Sequence, residues 1–215
     1  MKKENLKNQV YQSLKRKIIN NEIAPNSYLD EKQICESLGV SRTPVREAMT
    51  KLEWENLVVP IPQHGVMVSD LSAQSITELF QVRKAIEPVL LKSAYKNFNK
   101  DVLVDFRMRM EQALKDENFV KLHDLDYEFH QYLYESCNNR HITKIMSYIS
   151  DQFQRIRTQA FYVSQRSARG ANEHIAIINA LLNEDFDRVP GLMYQHICST
   201  EQFYYQSLLN SSSAT

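Results

Sequence analysis

Apolar residues at Leu6, Val10, Leu14 and Ile18 recur every fourth position, which predicts a helix over about 6–20 with one buried face. Pro25 and Asn26 then mark a turn. Asp30, with Gln33 behind it, predicts the capped start of a second helix running to Ser37 or Leu38, and Gly39 supplies the left-handed residue that ends it. Ser41 is placed to cap a third helix, with Pro44 in its first turn, where a missing N–H costs little. That helix reaches about Glu55 and buries Val45, Met49 and Leu52. Two β-prone runs, 57–61 and 66–68, flank the turn Pro62-Gln63-His64-Gly65 and read as a hairpin. From Ser72 onward helical periodicity persists, with helices expected at about 74–97, 101–116, 118–137, 140–163, 167–183 and 187–208. Asp187 is the expected cap of the last, with Pro190 in its first turn. The expected fold is mostly α: an N-terminal winged helix-turn-helix over 1–70, a linker at 71–73, a six-helix antiparallel bundle over 74–209 and a frayed tail at 210–215.

Composition supports that outline. Four glycines and six prolines in 215 residues are too few for a many-stranded fold. No apolar run approaches the ~20 residues of a membrane helix, and the polar, lysine-rich start is no signal peptide, so a cytoplasmic protein without a membrane partner is expected. Cys35, Cys137 and Cys198 are scattered and odd in number, which argues against a disulfide framework or a thiolate metal site. Net charge is zero, and residues 1–70 hold ten basic and nine acidic side chains, a net of +1. Any case for nucleic acid therefore rests on where charges sit rather than on their sum.

The third helix places Ser41, Arg42 and Thr43 at its N-terminus, with Arg46 one turn further on the same face. Hydroxyls and arginines at the leading end of a second helix suit phosphate clamping and bidentate guanine contact in a major groove. An ordinary capped surface helix with two solvated arginines fits the same spacing. The wing tip, Gln63-His64-Gly65, is suited to an adjacent minor groove. From Tyr11 to Asp70 the segment resembles the DNA-binding domain of the GntR family. The motif Gly39-Val40-Ser41-Arg42-Thr43-Pro44-Val45-Arg46-Glu47-Ala48 is unbroken, followed by Leu52-Glu53 and Asn56-Leu57-Val58, with Asn56 where the family commonly has glycine. The resemblance implies DNA contacts by Lys32, Ser41, Arg42, Thr43, Pro44, Arg46, His64 and Gly65. The strand Val59-Pro60-Ile61-Pro62 lacks the arginines common there, so a shallow salt dependence of binding is expected.

In the second half, Asp126 and His130 leave one helical face, and His174 and His196 lie on two other helices. Side chains so distributed can converge inside a bundle, and imidazole with carboxylate suits zinc, nickel, manganese or iron(II). A structural or exposed histidine is the commoner role for any one of them, and His123 shares the face of Asp126 and His130. About Ser75 to Leu208 resembles the FCD ligand-binding domain of the FadR branch of GntR regulators, on Val82-Arg83-Lys84-Ala85-Ile86-Glu87, Asp126-Tyr127-Glu128-Phe129-His130, Asn139, Glu173-His174-Ile175 and His196-Ile197. Six helices rather than seven favour the shorter, VanR-like form. The resemblance implies Asp126, His130, His174 and His196 as ligands of a divalent ion, zinc or nickel before manganese or iron, and gives His123 and His141 no such position. It also implies a carboxylate effector at the open metal positions, with Arg83 beside it and Arg157 as a weaker candidate. An i,i+4 pair between Arg83 and Glu87 is the competing reading. Tyr127, Phe129, Phe153 and Tyr162 are expected in the core.

The function expected is a ligand-responsive transcriptional regulator of repressor type, a homodimer on a near-palindromic double-stranded operator. A direct metal sensor is one alternative. A metal-dependent hydrolase with Glu173 as general base is another, though it would leave the arginine-bearing helix without a purpose.

Overall fold

The computed structural model describes residues 2–159 and 164–212, with side chains over 6–158 and 166–206. Contacts divide the chain into two units, 1–72 with 154–159, and 73–153 with 160–215. The predicted end of the 140–163 helix, Tyr162 and residues 213–215 of the tail fall outside the described residues.

In the first unit, α1 (Lys2–Ile19) buries Val10, Tyr11, Leu14 and Ile18 against α3 (Arg42–Trp54). Leu6, expected on that face, is 41% exposed, and Tyr11 takes the place beside Val10 instead. Between them lies α2 (Glu31–Leu38), whose orphan N–H groups at Lys32 and Gln33 are accepted by the Asp30 carboxylate. Gly39 closes it with φ 64°, a left-handed conformation that a Cβ would disfavour. Val45, Ala48, Met49 and Leu52 form the buried face of α3. Ser41 occupies its cap position, but the hydroxyl makes no capping bond, which corrects the expected cap.

The sheet has three strands, in the order β1 (Tyr28–Leu29), β3 (Gly65–Val68), β2 (Val58–Ile61), all antiparallel. The β2–β3 hairpin agrees with the pattern, and Pro60 is tolerated because β2 is an edge strand. β1 was not expected. Two residues carry no periodicity, and non-local bonds place them: Asn26 N donates to Val68 O, and Val68 N to Ser27 O. Asn56 adopts φ 48°, the left-handed conformation for which asparagine substitutes tolerably for glycine.

The second unit is helical: α4 (Ala73–Ala94), α5 (Lys100–Lys115), α6 (Phe119–Ser136), α7 (Arg140–Gln159), α8 (Ser164–Leu182) and α9 (Val189–Ser212). The last turn and a half of α7, residues 154–159, groups with the first unit. α4 accommodates Pro88 in its interior and gives way to a 3-10 turn at Tyr95–Asn97. Asn99 and Asn118 cap α5 and α6 through their side-chain oxygens. α9 begins at Val189, so the cap position falls on Arg188 rather than Asp187, while Pro190 stays in the first turn. α8 packs on α5, α6 and α9, and α9 packs on α4. These contacts bring α4, α6, α8 and α9 around one interior.

Candidate metal centre and DNA-reading surface

Two surfaces of α2 and α3 stay clear of the first unit's core. Ser41, Arg42, Thr43 and Arg46 are exposed at the leading end of α3, and Lys32 on α2 is about three-quarters exposed. No core contact fixes them, because the apolar side of α3 already satisfies its packing. Arg46 Nε donates to both Glu31 oxygens at 3.0 Å, an exposed pair of the kind worth under ~1 kcal/mol and readily exchanged for another anion. Pro44 is buried and serves the start of α3, so it presents no side chain to solvent. At the β2–β3 turn, Gln63 and Gly65 adopt φ 65° and 97°, and His64 is exposed with Nδ1 3.0 Å from Pro62 O. The structure thus holds out every expected DNA residue except Pro44.

The metal candidates converge. Asp126 and His130 from α6, His174 from α8 and His196 from α9 offer ligand atoms that all lie within 4.8 Å of one another. His174 Nε2 is 3.2 Å from His196 Nε2 and 3.7 Å from Asp126 Oδ1. Donors ~2.1 Å from an ion lie ~3 Å apart when adjacent in an octahedron and ~4.2 Å apart when opposite, and the 3.2 and 3.7 Å pairs fall within that range. The three histidines are buried, and Phe129 packs on His174 with ring centroids 5.0 Å apart. Burial, and then the neighbouring His196, drives the His174 pKa well below the usual value. Burial likewise lowers His196 to about 4, against the opposing pull of Glu173. Both are therefore neutral at pH 7, the form in which imidazole binds metal. His123 and His141 do not belong to the cluster.

Two buried carboxylates stand behind the histidines. On α4, Glu87 accepts from Arg83 Nε at 2.5 Å and from the Tyr134 hydroxyl at 3.0 Å, and its Oε2 is 3.3 Å from His130 Nδ1. Burial alone would raise the Glu87 pKa, but Arg83 and then His130 hold it well below the carboxylate range. Arg83 is 2% exposed, its guanidinium lies 4.2 Å from the centre of the Phe153 ring, and its Nη2 is 3.4 Å from His130 Nε2. Its Nη1 is buried with no hydrogen-bond partner among the described residues. On α8, Glu173 Oε2 is 2.8 Å from His196 Nδ1 and also accepts from both Arg166 Nη atoms at 3.1 Å. Oε1 accepts from Ser199 at 2.7 Å and Arg169 at 3.1 Å. Burial opposes ionisation here too, yet His196 and Arg166 lower the Glu173 pKa to about 2.

Sequence reasoning foresaw the Arg83–Glu87 pair and the cluster, but missed Tyr134 and Arg166. Tyr134, one turn beyond His130, and Arg166, two turns before Glu173, share faces with residues already singled out, which is the signal available. Arg157 is buried in the last turn of α7, within the stretch 154–159 that groups with the first unit rather than with the helices carrying the cluster. Phe129 and Phe153 are buried, as expected of core residues, while Tyr127 is half-buried.

A winged helix-turn-helix followed by a helical domain of this kind defines a class of DNA-binding transcriptional regulators. Residues 6–68 match the family model described as bacterial regulatory proteins, gntR family, and residues 78–198 match that of the FCD domain. The chain belongs to the GntR family, with an FCD domain as its second half. It is 28% identical over 192 residues to the transcriptional repressor RspR of Escherichia coli K12, covering 88% of this chain and 84% of that one. It is 25% identical over 173 residues to the regulator YdhC of Bacillus subtilis, covering 77% and 76%. A GntR crystal structure from Rhodococcus sp. RHA1 superposes with a TM-score of 0.80 at 21% identity, covering 93% of this chain and 97% of that one, which shows the shared fold. The relatives are transcriptional regulators and not enzymes, which removes the hydrolase alternative. Among the described residues no helix is long and apolar enough to cross a membrane.

Proposed function

We propose that this GntR regulator is a cytoplasmic, homodimeric repressor whose FCD domain binds a divalent metal through Asp126, His130, His174 and His196 and a small organic acid beside that metal. The observation that carries the reading is the convergence of one carboxylate and three buried histidines from three helices within 4.8 Å. Zinc and nickel suit three imidazoles with a carboxylate best, with manganese and iron(II) as further candidates. Four protein ligands leave positions open on an octahedral ion, and a carboxylate effector fills them. Arg83 supports this assignment: its Nη1 is buried without a hydrogen-bond partner among the described residues, and its Nη2 is 3.4 Å from His130 Nε2. Arg157 is the weaker effector candidate, given its place in the stretch 154–159.

On DNA, the start of α3 enters the major groove of a near-palindromic operator through Ser41, Arg42, Thr43 and Arg46. Lys32 contacts the backbone, and His64 and Gly65 reach the minor groove from the wing. The effector changes operator affinity, for which a coupling of ~1–3 kcal/mol suffices. Titrating a labelled operator with the protein at fixed free zinc, with and without a panel of di- and tricarboxylic acids, tests this. At least one acid is expected to shift affinity by ~5–150-fold. Operator affinity indifferent to every acid, but rising or falling with free zinc, would favour the second reading, a direct metal sensor. One observation favours that second reading: Glu87 already balances the charge of Arg83.

A further inference from the structure

The cluster supplies three imidazoles, and each has two nitrogens, of which only one can serve as ligand. The nitrogen left bare is set by what the other one bonds. At His196 the choice is constrained. Glu173 Oε2 lies 2.8 Å from His196 Nδ1, and a carboxylate offers acceptors only, so Nδ1 must carry the proton. The neutral ring then has a bare Nε2, which is the atom 3.2 Å from His174 Nε2 inside the cluster. Glu173 is itself held. Arg166, Arg169 and Ser199 donate to it, and Arg166 is in turn tied to Thr200, whose hydroxyl donates to His196 O at 2.8 Å.

We infer that Glu173 is a positioning residue: through its bond to Nδ1 it fixes His196 in one tautomer and one ring orientation, with Nε2 presented to the metal. The inference rests on the proposed metal site. Glu87 stands in a looser version of the same relation to His130, at 3.3 Å from Nδ1. His174 has no such support, because its Nδ1 is buried with no hydrogen-bond partner among the described residues. Glu173 therefore does no chemistry on a substrate. It removes the ring flip and the tautomer exchange that would otherwise compete with coordination.

The test uses full-length, metal-free protein labelled with 15N-histidine. Long-range 1H–15N correlation spectra read each ring's tautomer, and chelator competition reads zinc affinity. Wild-type His196 is expected as the Nδ1–H form. Glu173→Ala is expected to mix its tautomers and weaken zinc by ~10–100-fold, while the fold, followed by circular dichroism, persists. Glu173→Gln keeps a carbonyl acceptor for Nδ1–H, so it should hold the tautomer and lose less affinity than Glu173→Ala. The His174 signals, whose Nε2 is 3.2 Å from His196 Nε2, should shift with the mixed tautomers in Glu173→Ala and stay in place in Glu173→Gln. A residue with a merely structural role would change melting temperature without moving the tautomer or separating Gln from Ala. Wild-type His196 in the Nε2–H form overturns the inference, even if Glu173→Ala fails to fold, and so does unchanged zinc affinity in a folded Glu173→Ala. Zinc binding by the wild type is read separately. Its absence sinks the metal reading, and the tautomer still decides the role of Glu173.

Discussion

The start of α3 and the interior of the FCD domain solve opposite problems with the same residue type. Arg42 and Arg46 stand in solvent, Arg42 with no core contact and Arg46 in an exposed pair with Glu31. Arg83 is buried, stacked on Phe153 and locked to Glu87. An exposed arginine can trade one anion for another at little cost, as reading a duplex requires. A buried one is part of the fold, held to its partner and left with little freedom to exchange it. The difference shows which half keeps its functional groups free for a partner and which half pre-organises them around a site.

The same truncation in both places should therefore part company. Arg83→Ala strands the Glu87 carboxylate in the interior, and breaking one side of a buried pair costs ~3–5 kcal/mol. Urea denaturation of the metal-free protein would measure it. A loss under ~1 kcal/mol would mean that the pair is not the buried element described here.

The pH dependence of stability is the next largest effect. His196 has its usual pKa near 6.5 when unfolded and about 4 when folded. Between those values the unfolded chain carries the extra proton, so stability falls as pH drops from 6.5 to 4, by up to ~3 kcal/mol. His174 acts in the same direction. Glu173 extends the loss, since its folded pKa of about 2 lies below the usual 4.5. Denaturation midpoints of the metal-free protein between pH 7 and 4 check this, and a flat profile would contradict the buried, neutral histidines.

Arg42→Ala should leave folding unchanged and weaken operator binding by ~1–3 kcal/mol if Arg42 reads a base edge. If it contacts phosphate instead, the slope of affinity against salt should fall by ~1 with little change in sequence preference. Gly39→Ala is smaller: nothing lies within 4 Å of the added Cβ, so only the left-handed backbone is strained, by about 1 kcal/mol of folding stability. Smallest on folding is Ser41→Ala, near zero, because its hydroxyl makes no capping bond. Any loss of operator affinity in that variant isolates a contact to DNA.

Legibility differed between the regions for physical reasons. The α2–α3 segment is local: Asp30, Gly39, Ser41 and Pro44 each mark a backbone event within fifteen residues, so cap, turn and helix start could be read in order. The exceptions were non-local. β1 exists through its pairing with β3, and the position of Leu6 depends on how α1 meets the core. In the bundle, the four candidate ligands were legible as a set because Asp126 and His130 share a helical face and the family resemblance linked them to His174 and His196. Their supports were not. The reach of Tyr134 to Glu87, 47 positions away, and of Arg166 to Thr200, 34 away, depends on how helices pack, which periodicity along a single helix does not encode.

The proposed regulator depends on one carboxylate and three histidines of the FCD domain acting together as a metal centre. Native mass spectrometry with elemental analysis of the full-length protein, equilibrated with zinc and then freed of excess, tests it most directly. One zinc per chain is expected in the wild type and none in His174→Ala. A wild-type chain that retains no zinc or other divalent metal, or a folded His174→Ala that retains as much as the wild type, would contradict it.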